Sequence, residues 1–130
     1  MIFDRVKKLN PESILEAGCN IGGNLEWIRD YFPNIKKYGC DINQVEQVQK
    51  LFPEFEIKEG DIFSLPYKDK SIDILIVDMV LYMVDVESAI RECQRVARKA
   101  VIISDMIWEK LKSYIEKSDN CEKVNWREGI

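Results

Sequence analysis

The chain has 130 residues, 46% of them hydrophobic and 32% charged, with a formal net charge of −4 and no histidine. That size and balance imply one globular domain over residues 1–130 and exclude a disordered chain. A histidine general base is excluded outright, and no apolar run approaches the ~20 residues that cross a bilayer.

Cys19, Cys40, Cys93 and Cys121 fall at no CxxC spacing, so they read as small apolar residues of a reducing compartment rather than a disulfide frame or a zinc site. Charges run throughout the N-terminal IFDRVKKLNPES, which does not read as a secretory signal, and a cytoplasmic location is expected.

A short helix opens the chain and stops before Pro11. Five short apolar runs then alternate with segments of helical period, the pattern of parallel βαβ units. The first predicted strand is Ser13–Ala17, followed by a glycine-rich loop and a helix from near Asn24 with Leu25, Ile28 and Phe32 inward. Pro33 ends that helix, and Lys37–Cys40 is the second strand. Val45, Val48 and Phe52 mark the next helix, which Pro53 ends, and Phe55–Lys58 is the third strand. The fourth, Ile72–Val77, is nearly all apolar, as suits a strand covered on both faces. Val86, Ala89, Ile90, Cys93, Val96 and Ala97 form the clearest helical stripe. Arg95, Arg98 and Lys99 cluster at its end, where cations favour the helix dipole, so they are not read as a nucleic-acid surface. Ala100–Ser104 is the fifth strand, and a last helix is predicted over Ile107–Lys117 with Trp108, Leu111 and Ile115 inward. The predicted fold is α/β: a Rossmann-like, doubly wound, mostly parallel sheet of order 3-2-1-4-5 with ligands at the strands' carboxyl ends.

The loop after the first strand decides which ligand. A strand-to-helix turn this tight needs residues that accept positive φ, and the helix beyond presents N–H groups. Gly18-Cys19-Asn20-Ile21-Gly22-Gly23 misses the GxGxxG spacing of dinucleotide sites, and no Tyr-x-x-x-Lys pair exists. Both points disfavour an NAD-dependent oxidoreductase. Glu16-Ala17-Gly18-Cys19-Asn20-Ile21-Gly22 instead meets three of the four fixed positions of acidic-x-Gly-x-Gly-x-Gly. Asn20 stands for the middle glycine, and asparagine is the side chain most at ease in left-handed geometry.

This segment resembles the first motif of the class I S-adenosylmethionine-dependent methyltransferases, and the resemblance runs from about Ser13 to Asp105. KYGCDIN is similar to the second motif, with Asp41 where the family holds the ribose hydroxyls and Ile42 after it. EGDIFSLPY resembles the third, in which Asp61 would take the adenine amino group and Ile62 would lie against the ring. SIDILIVDMVLYMV resembles the fourth motif and RVARKAVIISD the fifth strand with the helix end before it. The resemblance implies S-adenosylmethionine as cofactor, S-adenosylhomocysteine as product, and a cofactor site of Glu16, Gly18, Cys19, Asn20, Gly22, Asp41, Ile42, Asp61, Ile62 and Asp78. It implies no metal. Physically, a ligand with an ammonium, two ribose hydroxyls and an adenine amino group needs acceptors at three strand ends, and carboxylates are two-oxygen acceptors. Each acidic residue also has a plainer reading: Asp41 as cap of the helix over 44–51, Asp61 as the start of a turn.

The fourth motif lacks the Asn/Asp-Pro-Pro-aromatic sequence of members that methylate base nitrogens or glutamine amides. A small-molecule acceptor is therefore expected, and the string GCNIGGNL is similar to a minor branch associated with sialic-acid-like sugars, including pseudaminic acid. Tyr82 and Met83 occupy the place of a histidine pair found in many small-molecule members, and Asp78 and Tyr82 are the candidate catalytic residues. From Met106 onward the chain has little room for the family's last two strands; VNWREGI leaves one at most. Two expectations follow. One is an alternative function as a non-catalytic cofactor-binding partner or regulatory module. The other is a bare fifth-strand edge, AVIIS, that invites a homodimer or protein partner there and along the C-terminal helix, with Trp108, Tyr114 and Trp126 as aromatic surface.

Overall fold

The alternation of apolar runs and helical stripes resolves, in the computed structural model, into a sheet with helices on both faces; residues 2–20, 22–78, 85–104 and 121–123 are described. In chain order the elements are α1 (Ile2–Lys8), β1 (Ser13–Ala17), α2 (Gly23–Tyr31), β2 (Lys36–Asp41), α3 (Val45–Leu51), β3 (Glu56–Glu59), β4 (Ile72–Asp78), α4 (Val86–Val96), β5 (Ala97–Ser104) and β6 (Cys121–Lys123). The strands lie in the order β3-β2-β1-β4-β5-β6 with every pairing parallel. The first five take the predicted order. β1 and β4 are buried along almost their whole length because each has a neighbour on both sides and helices on both faces.

Period-2 alternation sorts the core into two layers. Ile14, Ile74, Ile76 and Ile102 face α1, α2 and α3, meeting Phe3, Val6, Leu25, Ile28 and Val48. Leu15, Ala17, Leu75, Val77, Val101 and Ile103 face α4, meeting Val86, Ala89, Ile90, Cys93 and Val96. Buried polar side chains close the helix ends. Lys37, fully inside the fold, donates Nζ to the carbonyls of Phe32, Pro33 and Ile35 at 2.9, 3.2 and 3.0 Å, beyond the end of α2. Burial pulls its pKa below the ordinary lysine value, with Glu54 acting the other way.

β5 begins three residues before the predicted strand, with no loop after α4. The reason is a bulge: Ile72 pairs with Ala97 but Ile74 with Ala100, so β5 carries one residue more than β4 between the two pairings. Opposite the bulge lies Asp73, 3% exposed. Its Oδ1 accepts from Arg98 Nε at 2.6 Å and its Oδ2 from the Glu12 N–H at 2.8 Å. Burial works against the charge of Asp73, but the hydrogen bonds from Arg98 and Glu12 outweigh it and hold the carboxyl below its ordinary value. Lys99 donates to the carbonyls of Leu9 and Asn10 at 3.1 and 3.0 Å, and Arg95 to Glu92, Asp69 and the carbonyls of Leu65 and Tyr67. The basic cluster is thus occupied within the fold.

The fifth-strand edge is not bare. β6 pairs with it in parallel, Val101 to Cys121 and Ile103 to Lys123. The strand includes the three residues just before VNWREGI, and the bare edge on which the expected homodimer or partner rested is filled there. The predicted helix over 107–117, the aromatics Trp108, Tyr114 and Trp126, and residues 124–130 lie outside the described residues.

Candidate functional site

Parallel strands with right-handed crossovers bring every strand-to-helix loop to one side of the sheet, so the carboxyl ends of β1, β2, β3 and β4 share one edge. The loop after β1 turns through three left-handed residues, Gly18 at φ 77°, Asn20 at φ 51° and Gly22 at φ 93°. Asn20 therefore takes the geometry expected of it. At Gly22 an added Cβ would stand 2.3 Å from the Phe52 ring, while at Gly23 it would meet nothing within 4 Å. The loop is packed against α3's end on one side and open at the start of α2.

The loop's own N–H groups are largely spoken for. Gly18 and Cys19 both donate to the Cys40 carbonyl at 2.7 and 3.0 Å, Gly22 to the Cys19 carbonyl at 3.0 Å, and Asn20 to Asp41 Oδ2 at 2.7 Å. These bonds hold the loop on β2. Asp41 itself takes Asn20 on one oxygen and the Asn43 N–H on the other, at 3.1 Å. It does not cap α3, whose N-cap Gln44 has no side-chain cap bond. A carboxylate has about four lone-pair sites, so two acceptor positions on Asp41 remain beyond these bonds.

Gly60 donates to the Asp41 carbonyl at 3.0 Å, which sets Asp61 beside Asp41. Asp61 does start a turn: its Oδ1 accepts from Phe63 N–H at 2.9 Å and its carbonyl from Ser64 N–H at 2.9 Å. Ile62 is buried in the α4 layer, whereas Ile42 and Phe63 are exposed apolar side chains next to the two carboxylates. The thiol of Cys19 is likewise core, between Gly39 and the α2 layer, and burial first, then the nearby Glu16 and Asp41, push it up to about 12.

Glu16 is the most unusual group. Two residues after Ile14 it points to the same face, toward α2, and is 1% exposed. Its Oε2 accepts from Asn24 Nδ2 at 2.6 Å, and the same nitrogen donates to Asp78 Oδ2 at 2.9 Å. Oε1 has no hydrogen-bond partner among the described residues. Burial raises the Glu16 carboxyl to about 8; the Asn24 hydrogen bond opposes this, and Asp78 and Asp41 add to it. Sequence reasoning missed Asn24, which sits outside the glycine pattern and reveals itself only through partners eight and fifty-four positions away. Of the predicted site residues, the structure gathers Glu16, Gly18, Asn20, Gly22, Asp41, Asp61 and Asp78 on one edge; Tyr82 lies outside the described residues. No cluster of metal ligands occurs among the described residues.

Residues 15–104 match the family described as a methyltransferase domain. The chain belongs to the class I S-adenosylmethionine-dependent methyltransferase family. Its similarity to individual members is distant. A transposon-encoded protein of Streptomyces fradiae is 33% identical over 120 residues, covering 85% of this chain and 35% of that protein. A probable S-adenosylmethionine-dependent methyltransferase of Mycolicibacterium smegmatis is 30% identical over 86 residues, covering 65% of this chain and 34% of that one. A plantazolicin methyltransferase solved with a pentazolic desmethylPZN analogue and S-adenosylhomocysteine superposes with a TM-score of 0.69 at 18% identity, over 92% of this chain and 48% of that one. The methyltransferase chain described here thus spans about a third of the length of those curated relatives. The cofactor of the family is S-adenosylmethionine.

Proposed function

We propose that this chain is the cofactor-binding part of an S-adenosylmethionine-dependent methyltransferase whose acceptor is a small molecule, a sugar or other metabolite. The observation that carries the reading is Glu16: a buried carboxyl at the end of β1 with one oxygen lacking a donor among the described residues. A ligand bearing an ammonium group supplies a donor that is also a countercharge to the carboxylate, and a nicotinamide dinucleotide has no ammonium. Asp41 has acceptor sites left for the paired ribose hydroxyls. Asp61, with exposed Ile42 and Phe63 nearby, suits the adenine amino group and ring. The open space at Gly23 lets the ligand approach the start of α2.

When bound, S-adenosylmethionine supplies a methyl carbon made electrophilic by its sulfonium. The protein's part is to fix that group and the acceptor against each other, which alone is worth ~7–11 kcal/mol of barrier. The acidic edge favours a cationic ligand. Asp78, at the end of β4 and hydrogen-bonded to Asn24, is the residue placed to receive a proton from the acceptor, with Tyr82 as the second acceptor-side residue of this proposal. The string GCNIGGNL supports a sugar acceptor.

Calorimetry with S-adenosylhomocysteine and with NAD tests the reading. S-adenosylhomocysteine should bind and NAD should not. Asp41→Ala should weaken S-adenosylhomocysteine binding roughly five- to a hundred-fold, the equivalent of ~1–3 kcal/mol for a lost acceptor. Unchanged binding by Asp41→Ala would overturn the assignment of that residue. Transfer of a labelled methyl group to a panel of sugars tests the acceptor, and binding without any turnover would favour a regulatory module.

A further inference from the structure

We propose that Asn24 is a positioning residue whose side-chain amide yokes Glu16 to Asp78, so that a single oxygen of Glu16 is presented to the charged amine of the bound cofactor. The proposal rests on the reading of this edge as an S-adenosylmethionine site, and it concerns a residue outside the glycine pattern that marks the site. An amide nitrogen has two N–H groups. In Asn24 one reaches Glu16 Oε2 and the other Asp78 Oδ2, at 2.6 and 2.9 Å, which leaves Oε1 without a partner among the described residues.

The other groups facing Glu16 cannot substitute. Asp78 on β4 and Asp41 on β2 are carboxylates, and Cys19 on the loop is a thiol held protonated. Asn24 on α2 is the donor among them. It therefore does two things to Glu16. It fixes which way the carboxyl faces, and its hydrogen bond stabilises the ionised form against burial and two like charges. Since these forces leave Glu16 titrating near 8, the empty site is mostly protonated at neutral pH, while an ammonium on Oε1 requires the carboxylate. Binding of an amine-bearing cofactor then releases a proton and tightens as pH rises toward 8. Without Asn24, Oε2 also loses its donor and the titration moves further up.

Calorimetry of the full chain between about pH 6 and 9 separates the possibilities, using S-adenosylhomocysteine and 5′-methylthioadenosine, the same nucleoside thioether without the amino-acid part. In the parent, S-adenosylhomocysteine binding should strengthen with a midpoint near 8, and 5′-methylthioadenosine should show no such rise. Asn24→Leu should weaken S-adenosylhomocysteine about five- to a hundred-fold at neutral pH and raise the midpoint, leaving 5′-methylthioadenosine within about twofold. Asn24→Ser, whose one hydroxyl can serve one carboxylate, should fall between, and it supplies the comparison if the leucine variant does not fold. In a Glu16→Gln background, Asn24→Leu should leave pH dependence unaltered. A folded Asn24 variant with the parent's affinity and midpoint overturns the inference while the cofactor reading stands. Equal losses for both ligands also overturn it, since they mean general damage to the loop. A parent that binds neither ligand overturns both readings.

Discussion

Glu16→Gln should stabilise the ligand-free protein at alkaline pH, an uncommon outcome for altering a residue proposed to bind a ligand. In the unfolded chain Glu16 titrates near its ordinary 4.5, and in the folded one near 8. A raised folded value means that the stabilising contribution is complete below the unfolded value and is lost as pH climbs through the folded one. The interval spans about 3.5 pH units, and each is about 1.4 kcal/mol, so ionising this one group withdraws about 5 kcal/mol. That is a large share of the ~5–15 kcal/mol that holds a domain folded. Glutamine is permanently neutral and keeps an oxygen for Asn24, so its stability has no such slope. Urea unfolding of both proteins at about pH 6 and 8.5 measures the difference, and the advantage of the variant should widen by about 3 kcal/mol over that range. Parallel stabilities across it would show that Glu16 is ionised in the folded protein and would refute the account of its burial.

Two further substitutions probe the scaffold. Gly22→Ala puts a Cβ on a residue at φ 93° and drives it to 2.3 Å from the Phe52 ring. Left-handed strain of ~1–2 kcal/mol and overpacking of ~1–3 kcal/mol should together lower stability by about 2–5 kcal/mol in urea unfolding. A neutral result would mean that the loop and α3 are not in contact. Asp73→Ala strips the acceptor from Arg98 and from the Glu12 N–H and should lower unfolding stability by ~1–3 kcal/mol near neutral pH. Because the Asp73 carboxyl is held below its ordinary value, that penalty should shrink as pH falls through the carboxylate range, and a penalty independent of pH would contradict the ion pair.

What the amino-acid sequence made legible was whatever rests on local pattern. The nearly all-apolar run of β4, broken by Asp73, the stripe of α4 and the glycines and asparagine of the first loop each announce a conformation through neighbours a few residues apart. The acidic residues closing β1, β2 and β3 could be placed in order because a parallel sheet turns chain order into position on one edge. What stayed hidden depends on partners far off in sequence. Asn24 gains its meaning from Glu16 and Asp78 together. The early start of β5 is concealed by Arg98 and Lys99, charges that look like a loop until the bulge opposite Asp73 is seen. Lys37, a cation in a predicted strand, carries no sign that it will be buried on three carbonyls. β6 is Cys-Glu-Lys, three residues without apolar periodicity that become a strand because β5 offers an unfilled ladder.

The tethers at the sheet's far end bear on how the chain assembles. The carbonyls of Leu9 and Asn10, just after α1, are held by Lys99, 90 and 89 residues later, and the Glu12 N–H waits for Asp73, 61 residues on. Closing a loop of about ninety residues costs roughly 4 kcal/mol in chain entropy. β1, β2 and β3 can pair in sequence as the chain emerges, across separations of about twenty residues, so the sheet can grow outward from its centre. α1 itself can dock early, since Phe3 lies against Tyr31 with ring centroids 5.0 Å apart; the turn that follows it waits for Lys99 and Asp73.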